Sequence, residues 1–245
     1  MNQKRLMRAR KRLCCPAESF AIANCQDAAV LPSLHFDLPS QRVAGETKSA
    51  LQMLRSLFPS DKLLAGFPAI AMRHQLYAMV QNRVDVDNAL TEMTDRGEVR
   101  VFQLGPHETD AAVLFTEDYL VYVRQRKKFL EKVVMRSQNS SCSHNSLAME
   151  YSLCDNEISE LEHLELLVPR GIGSDGYHWW LGVPGAVCFL RTLARGRVAL
   201  LQMLRSRRLP RGTKLGIGHF IYDAIGADLV TCVKTTGRDV LRLRE

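Results

Sequence analysis

Residues 47–115 change their apolar period once, and that change constrains the fold more than any other feature of the chain. Thr47 to Phe58 carries apolar side chains at 50, 51, 54, 57 and 58, the spacing of one helical face, and Pro59 stops it. Residues 69–80 keep the helical period. Residues 85–96 keep it again, with Val86, Ala89, Leu90 and Met93 on one side and Gly97 as the stop. From Glu98 to Leu104 the period drops to two, with Val99 and Val101 on the same side. Gly105-Pro106 marks a turn, and Ala112 to Phe115 reads as the returning strand. Three helices followed by a two-stranded hairpin is the plan of a winged helix-turn-helix unit.

The order recurs. Residues 120–136 read as helix, Ser137 to Ser146 as a polar loop, 146–152 as a short helix and 155–165 as a longer one. Glu165 to Pro169 is strand-like, Gly171 to Gly176 a turn, and Tyr177 to Val183 a strand rich in aromatics. A long helical stretch follows from Gly185 to Arg208, with Gly196 as a candidate break. Residues 219–230 read as helix, and Thr231–Thr235 with Val240–Leu243 as a hairpin about Gly237. Leu-Gln-Met-Leu-Arg-Ser occurs at both 51–56 and 201–206, as two first helices of like units would allow. The expected fold is α+β, mainly helical, with three tandem winged helix-turn-helix domains. Their expected spans are 46–120, 121–186 and 187–245, the last one shortened. Residues 1–45, a mix of basic, Pro and small residues with little periodicity, read as a disordered tail.

Charge is distributed unevenly within a net charge of +7. Before Glu18 stand Lys4, Arg5, Arg8, Arg10, Lys11 and Arg12 without one acid, a block that fits a nuclear address. From Gly176 to Phe220 there is again no Asp or Glu, while Arg191, Arg195, Arg197, Arg205, Arg207, Arg208, Arg211 and Lys214 are present. Ser137 to Pro169 reverses the sign: Glu150, Asp155, Glu157, Glu160, Glu162 and Glu165, with no Lys or Arg. Basic surfaces attract phosphate backbones; acidic ones repel them and suit protein partners.

On a helical wheel with Arg191 at 0°, Arg195 falls at ~40° and Arg205 at ~320°, while Phe189, Leu193, Leu200 and Leu204 cluster near ~180°. Three arginines thus share a stripe opposite an apolar face. The third helix of the first unit carries Asp85, Asp87, Glu92 and Asp95 against Arg83 and Arg96, and its counterpart in the middle unit is more acidic still. Helices of that sign are poor readers of base edges, so the expected contact with duplex DNA is to the backbone and weakly sequence-specific. The set Arg191, Arg195, Arg205, Arg207, Arg208, Arg211 and Lys214 is expected to hold phosphates. In the aromatic strand, Trp179 and Trp180 point to opposite faces, one to the core and one partly to solvent.

Other chemistry finds little footing. Gly171-Ile172-Gly173-Ser174-Asp175-Gly176 fits Gly-x-Gly-x-x-Gly, but a strand follows it where a dinucleotide site needs a helix N-terminus. A kinase loop does lie between strands, yet no His-Arg-Asp and no Asp-Phe-Gly occurs in the chain. The motif therefore reads as a flexible wing, with no catalytic residue, cofactor or metal. The seven cysteines include no Cys-x-x-Cys, as in a chain that keeps its thiols reduced. Cys142, His144, Cys154 and His163 have no familiar zinc spacing. No apolar run approaches the ~18 residues of a membrane span.

Several strings resemble a known family: Leu57-Phe58-Pro59, Gly97-Glu98-Val99-Arg100, Phe115-Thr116-Glu117-Asp118-Tyr119, Trp179-Trp180-Leu181, Val183-Pro184-Gly185-Ala186, Ile225-Gly226-Ala227 and Leu241-Arg242-Leu243. Over residues 48–245 the chain resembles the inactive serine/threonine-protein kinase 19 family. The resemblance implies three tandem winged-helix domains in a nuclear protein that binds double-stranded DNA. It further implies a role in transcription-coupled nucleotide excision repair, bridging stalled RNA polymerase II, the Cockayne syndrome complex and TFIIH. The family's DNA-binding positions match Arg83, Arg191, Arg205 and Arg208. The stretch Leu209–Lys214 is shorter than in the family, which puts the completeness of the third unit in doubt. A protein-protein scaffold without a DNA role is the alternative, and a kinase the last-ranked one. Winged helices also dimerise, so a homodimer stays open.

Overall fold

The computed structural model describes residues 47–59, 63–80, 82–124, 129–136, 139–173, 176–206, 215–235 and 238–244. The basic N-terminal block Lys4, Arg5, Arg8, Arg10, Lys11 and Arg12 lies outside the described residues, as do Arg207, Arg208, Arg211 and Lys214.

The first unit follows the periodicity closely. Helix α1 (Thr47–Leu57) buries Thr47, Ala50, Leu51 and Leu54. A short strand β1 (Ala71–Met72) opens the segment expected to be wholly helical, and α2 (Arg73–Met79) follows it. Two residues carry no readable period, and the strand exists only because Ala71 and Met72 pair with Val113 and Ala112. Helix α3 (Arg83–Asp95) is capped by Asn82, whose side chain accepts from the Val84 amide at 3.1 Å. Gly97 ends it at φ +72°, a conformation that favours glycine. Strands β2 (Val99–Gln103) and β3 (Ala111–Phe115) form the hairpin, and the sheet order is β1-β3-β2.

The middle unit has the same order of parts. Helix α4 (Thr116–Val123) and a π-helical turn (Leu130–Val134) come first. Where the polar loop was expected, Ser141–Ser143 forms strand β4, with Cys142 opposite Trp179. Ser-Cys-Ser offers one apolar residue, so its strand character comes from the aromatic neighbour and not from its own pattern. A π-helical turn (Ser146–Glu150) and α5 (Asp155–His163) lead to β5 (Leu167–Gly173) and β6 (Gly176–Leu181), in the sheet order β4-β6-β5. The glycine segment expected as a turn is mostly strand. Gly171 pairs with His178 and Gly173 with Gly176, at φ +140° for Gly171 and +106° for Gly176. Trp179 is buried and Trp180 half-buried beneath the Arg170 guanidinium, 4.3 Å from the ring centroid.

The last part holds α6 (Ala186–Ser206), α7 (Ile217–Gly226) and the hairpin β7 (Val230–Thr235) and β8 (Arg238–Leu243). Helix α6 runs unbroken through Gly196, against the expected break. A Cβ at 196 would stand 1.9 Å from the Phe220 ring, so glycine serves here as a seat for α7. The two Leu-Gln-Met-Leu-Arg-Ser strings bury different positions: Leu51 and Leu54 in α1, but Met203 in α6, where Leu201 and Leu204 are half-buried. The identity therefore marks no equivalent sites.

The three parts share one body. Phe58 and Phe67 of the first meet Phe189 of α6, with ring centroids 6.0 and 6.3 Å away. The Tyr119 and Tyr122 hydroxyls of α4 donate to the Gly182 and Pro184 carbonyls at 3.0 and 2.9 Å. Helix α2 lies against α7 so closely that a Cβ at Gly226 would stand 1.9 Å from the His74 carbonyl oxygen. The fold is α+β, with helices flanking small antiparallel sheets. No helix among the described residues is long and apolar enough to cross a membrane.

Candidate nucleic-acid interface

Helix α6 sorts its side chains as the wheel predicts, with one change. Phe189, Leu193, Leu200 and Met203 are buried, and Leu204 is only half-buried. Arg191, Arg195 and Arg205 are exposed on the other side. From Arg191 to Arg205 the rise is about 21 Å.

Arg197 breaks from this set. It turns inward to a carboxylate just beyond the acid-free stretch. Its Nε donates to Asp223 Oδ2 at 2.5 Å and one terminal nitrogen donates to Oδ1 at 2.8 Å. The same Oδ1 meets His74 Nε2 at 2.7 Å. Asp223 is fully buried. Burial alone would raise its pKa, but the hydrogen bonds from Arg197 and His74 outweigh burial and hold the carboxyl below its usual range. Next to it, His219 sits among Phe58, Phe189 and Phe220 with both ring nitrogens unpartnered. Burial pushes its pKa down to about 4. This network ties α2 to α6 and α7 and thereby fixes the first unit against the last.

That docking assembles a basic cluster from distant parts of the sequence. Arg83, the first residue of α3, rests over the Tyr77 ring at 5.3 Å and reaches Asp228 Oδ2 at 3.7 Å. Asp228 Oδ1 accepts from Arg244 at 2.7 Å. Arg205 and Arg244 line one open depression of about 250 Å³, together with Leu201, Asp228, Leu229 and Leu243. Asp228 itself follows α7 at φ +58°, a left-handed position that costs a non-glycine residue about 1 kcal/mol. So Arg83 and Arg244 share one carboxylate, and Arg205 lines the same depression. Sequence reasoning missed Arg244. The available signal was the alternation Leu241-Arg242-Leu243-Arg244, which turns Arg242 outward on the last strand and Arg244 outward just beyond it. Arg191 and Arg195 continue the basic stripe along α6.

Asp87 and Glu92 of α3, and Glu98 just beyond it, are engaged by cations. Arg73 donates to Asp87 at 2.6 Å and the Tyr77 hydroxyl to the same oxygen at 2.7 Å. Lys48 reaches Glu98 at 2.6 Å, and Arg96 bonds Glu92 and Glu98. The zinc spacing also has a local account. Cys142 is buried, with its thiol pushed up to about 11 by burial, and His144 Nε2 meets Asp155 at 3.2 Å. No group of three metal-ligating side chains occurs among the described residues. The Gly-x-Gly-x-x-Gly stretch leads into β6, so a strand follows it and not a helix N-terminus.

Two antiparallel units of like order, tied to helix α6 by a buried network, define a small α+β protein with exposed arginines along α6 and two more beside Asp228. The profile of the family described as "Inactive serine-threonine protein kinase 19" matches residues 46–214, and the chain belongs to that family. It is similar to proteins named "Winged helix repair factor 1". The mouse protein is 34% identical over 228 residues, which cover 84% of this chain and 88% of the relative. The human protein is 32% identical over 230 residues (84% and 89%), and the Xenopus laevis protein 32% over 219 residues (80% and 83%).

Proposed function

We propose that this chain is a non-enzymatic nuclear adaptor that grips double-stranded DNA by its backbone. The observation that carries the reading is the convergence of Arg83, Arg205 and Arg244, next to the exposed Arg191 and Arg195 of an acid-free helix. Arginines gathered on one face, with few acids to oppose them, suit phosphates. Arg207, Arg208, Arg211 and Lys214 follow α6 directly in sequence and add to the same charge.

In this reading the chain is three tandem winged-helix units, at 46–120, 121–186 and 187–245. The shared order β1-β3-β2 and β4-β6-β5, each behind its helices, supports the first two. Helices α6 and α7 with the β7–β8 hairpin support a reduced third. The relatives' name, a repair factor, agrees with work in DNA repair. In this reading it works in transcription-coupled nucleotide excision repair, bridging stalled RNA polymerase II, the Cockayne syndrome complex and TFIIH, as the family resemblance suggests. The basic N-terminal block serves as the nuclear address.

The test is fluorescence anisotropy with labelled duplexes of unrelated sequence. The wild-type chain binds them with similar affinity, and Arg191→Glu/Arg205→Glu binds them much more weakly. A variant that binds as the wild type does would leave a protein-protein scaffold instead.

A further inference from the structure

The middle unit turns the opposite charge outward at the place where such units usually meet nucleic acid. Helix α5 and the hairpin β5–β6 enclose one face of the sheet. On that face Ile172 and Tyr177 stand opposite each other across the strands, 74% and 59% exposed. Tyr177 continues to Trp179, with ring centroids 6.3 Å apart. Asp155 and Glu162 lie two helical turns apart on one side of α5, and both adjoin this aromatic row. The Trp179 indole donates to Glu162 at 2.5 Å. Asp155 bonds His144, whose ring lies 6.0 Å from Trp179.

Val168 and Trp180 pair on the opposite face, and Arg170 lies over Trp180 there. The cation of the hairpin thus points away from the aromatic row. From Ser137 to Pro169 the chain has no Lys or Arg at all. A phosphate backbone laid between α5 and the hairpin would meet the carboxylates of Asp155 and Glu162.

We propose that this face docks a polypeptide segment of a partner protein that is cationic and carries a large apolar anchor. Arginine or lysine side chains of that segment pair with Asp155 and Glu162, and the anchor covers Ile172 and Tyr177. Apolar and aromatic side chains rimmed by charge are the composition of a protein-binding surface. Augmentation of the sheet is disfavoured, because the edge strand β5 carries Pro169 and a bulge beside it. The contact is therefore made by side chains across the face. None of the residues named for this surface belongs to the arginine cluster, and the proposal does not depend on DNA binding there.

The test uses the full chain and a labelled synthetic peptide repeating Arg-Leu-Lys-Ser. Two controls replace its leucines by serine or its cations by glutamate. The expected result is saturable binding of the first peptide alone, with backbone amide shifts confined to α5 and the β5–β6 hairpin. Ile172→Ser/Tyr177→Ser, both exposed, and the near-isosteric Asp155→Asn/Glu162→Gln each weaken it about tenfold. Arg191→Glu/Arg205→Glu leaves peptide binding intact, and the two patch variants leave duplex binding intact, so the two readings fail separately. Equal peptide binding by wild type and both patch variants overturns the proposal. So does binding of a labelled oligothymidine that Ile172→Ser/Tyr177→Ser abolishes, which would assign the patch to nucleic acid. Self-association that the same variant abolishes, without peptide binding, would assign it to a second copy of the chain.

Discussion

Asp223→Ala tests whether the buried network fixes the first unit against the last. Asp223 is 0% exposed and serves as acceptor for two residues, Arg197 and His74. Its removal leaves a guanidinium and an imidazole facing an emptied site. Breaking a buried ion pair from one side costs about 3–5 kcal/mol. The Arg197 side chain is 31% exposed, so water recovers part of that, and the lower end is expected. For a chain of this size, about 3 kcal/mol lowers the melting temperature by about 6–12 °C. Circular dichroism at 222 nm during heating reads it directly. The double variant Arg197→Met/Asp223→Leu keeps the volume and removes both charges, and it recovers much of the loss. Because Arg83 stands on one side of the junction and Arg205 and Arg244 on the other, Asp223→Ala also weakens duplex binding below the melting temperature. A melting temperature within about 2 °C of wild type would refute the argument.

Other consequences follow from the same geometry. His219 is held neutral with a pKa of about 4 against 6.5 in a free chain, so the unfolded state binds the extra proton between those values. Stability therefore falls as pH drops through that window, by about 2 kcal/mol from pH 7 to pH 5. Asp223, whose carboxyl is also depressed, adds a loss of the same sign at more acidic pH. Denaturant midpoints across that range should show the fall, and His219→Leu should flatten it. Gly226→Ala places a Cβ 1.9 Å from the His74 carbonyl oxygen, a backbone atom that cannot swing aside. Urea denaturation should record a loss of about 2 kcal/mol, and an unchanged midpoint would mean that α2 and α7 are not so close. Asp228→Asn frees Arg83 and Arg244 from their shared carboxylate and should tighten duplex binding about fivefold at low salt. Weaker binding would show instead that Asp228 is needed to hold the two arginines in place.

Much of this was legible in the residues, and the gaps have specific causes. Period and stop signals located α1, α3 and the first hairpin because each buries one face of its own pattern. Strand β4 was invisible because Ser141-Cys142-Ser143 is a strand only by pairing with Trp179 and its neighbours. Gly196 looked like a break because its role depends on Phe220, remote in sequence and adjacent in space. The acid-free stretch pointed to a basic face, yet charge counting could not separate Arg197, which turns inward to Asp223, from Arg191, Arg195 and Arg205, which face outward. Arg244 joined the cluster only through the docking of the last hairpin beside α3.

The central claim is a backbone grip on duplex DNA by the arginine face, and its most direct measurement is affinity across a salt series. Neutralising six phosphates gives a slope of log affinity against log salt of about −5. The account predicts that slope for the wild-type chain on duplexes of any sequence, and a slope shallower by about 2 for Arg191→Glu/Arg205→Glu. A slope near zero, or one that the variant leaves unchanged, would contradict it.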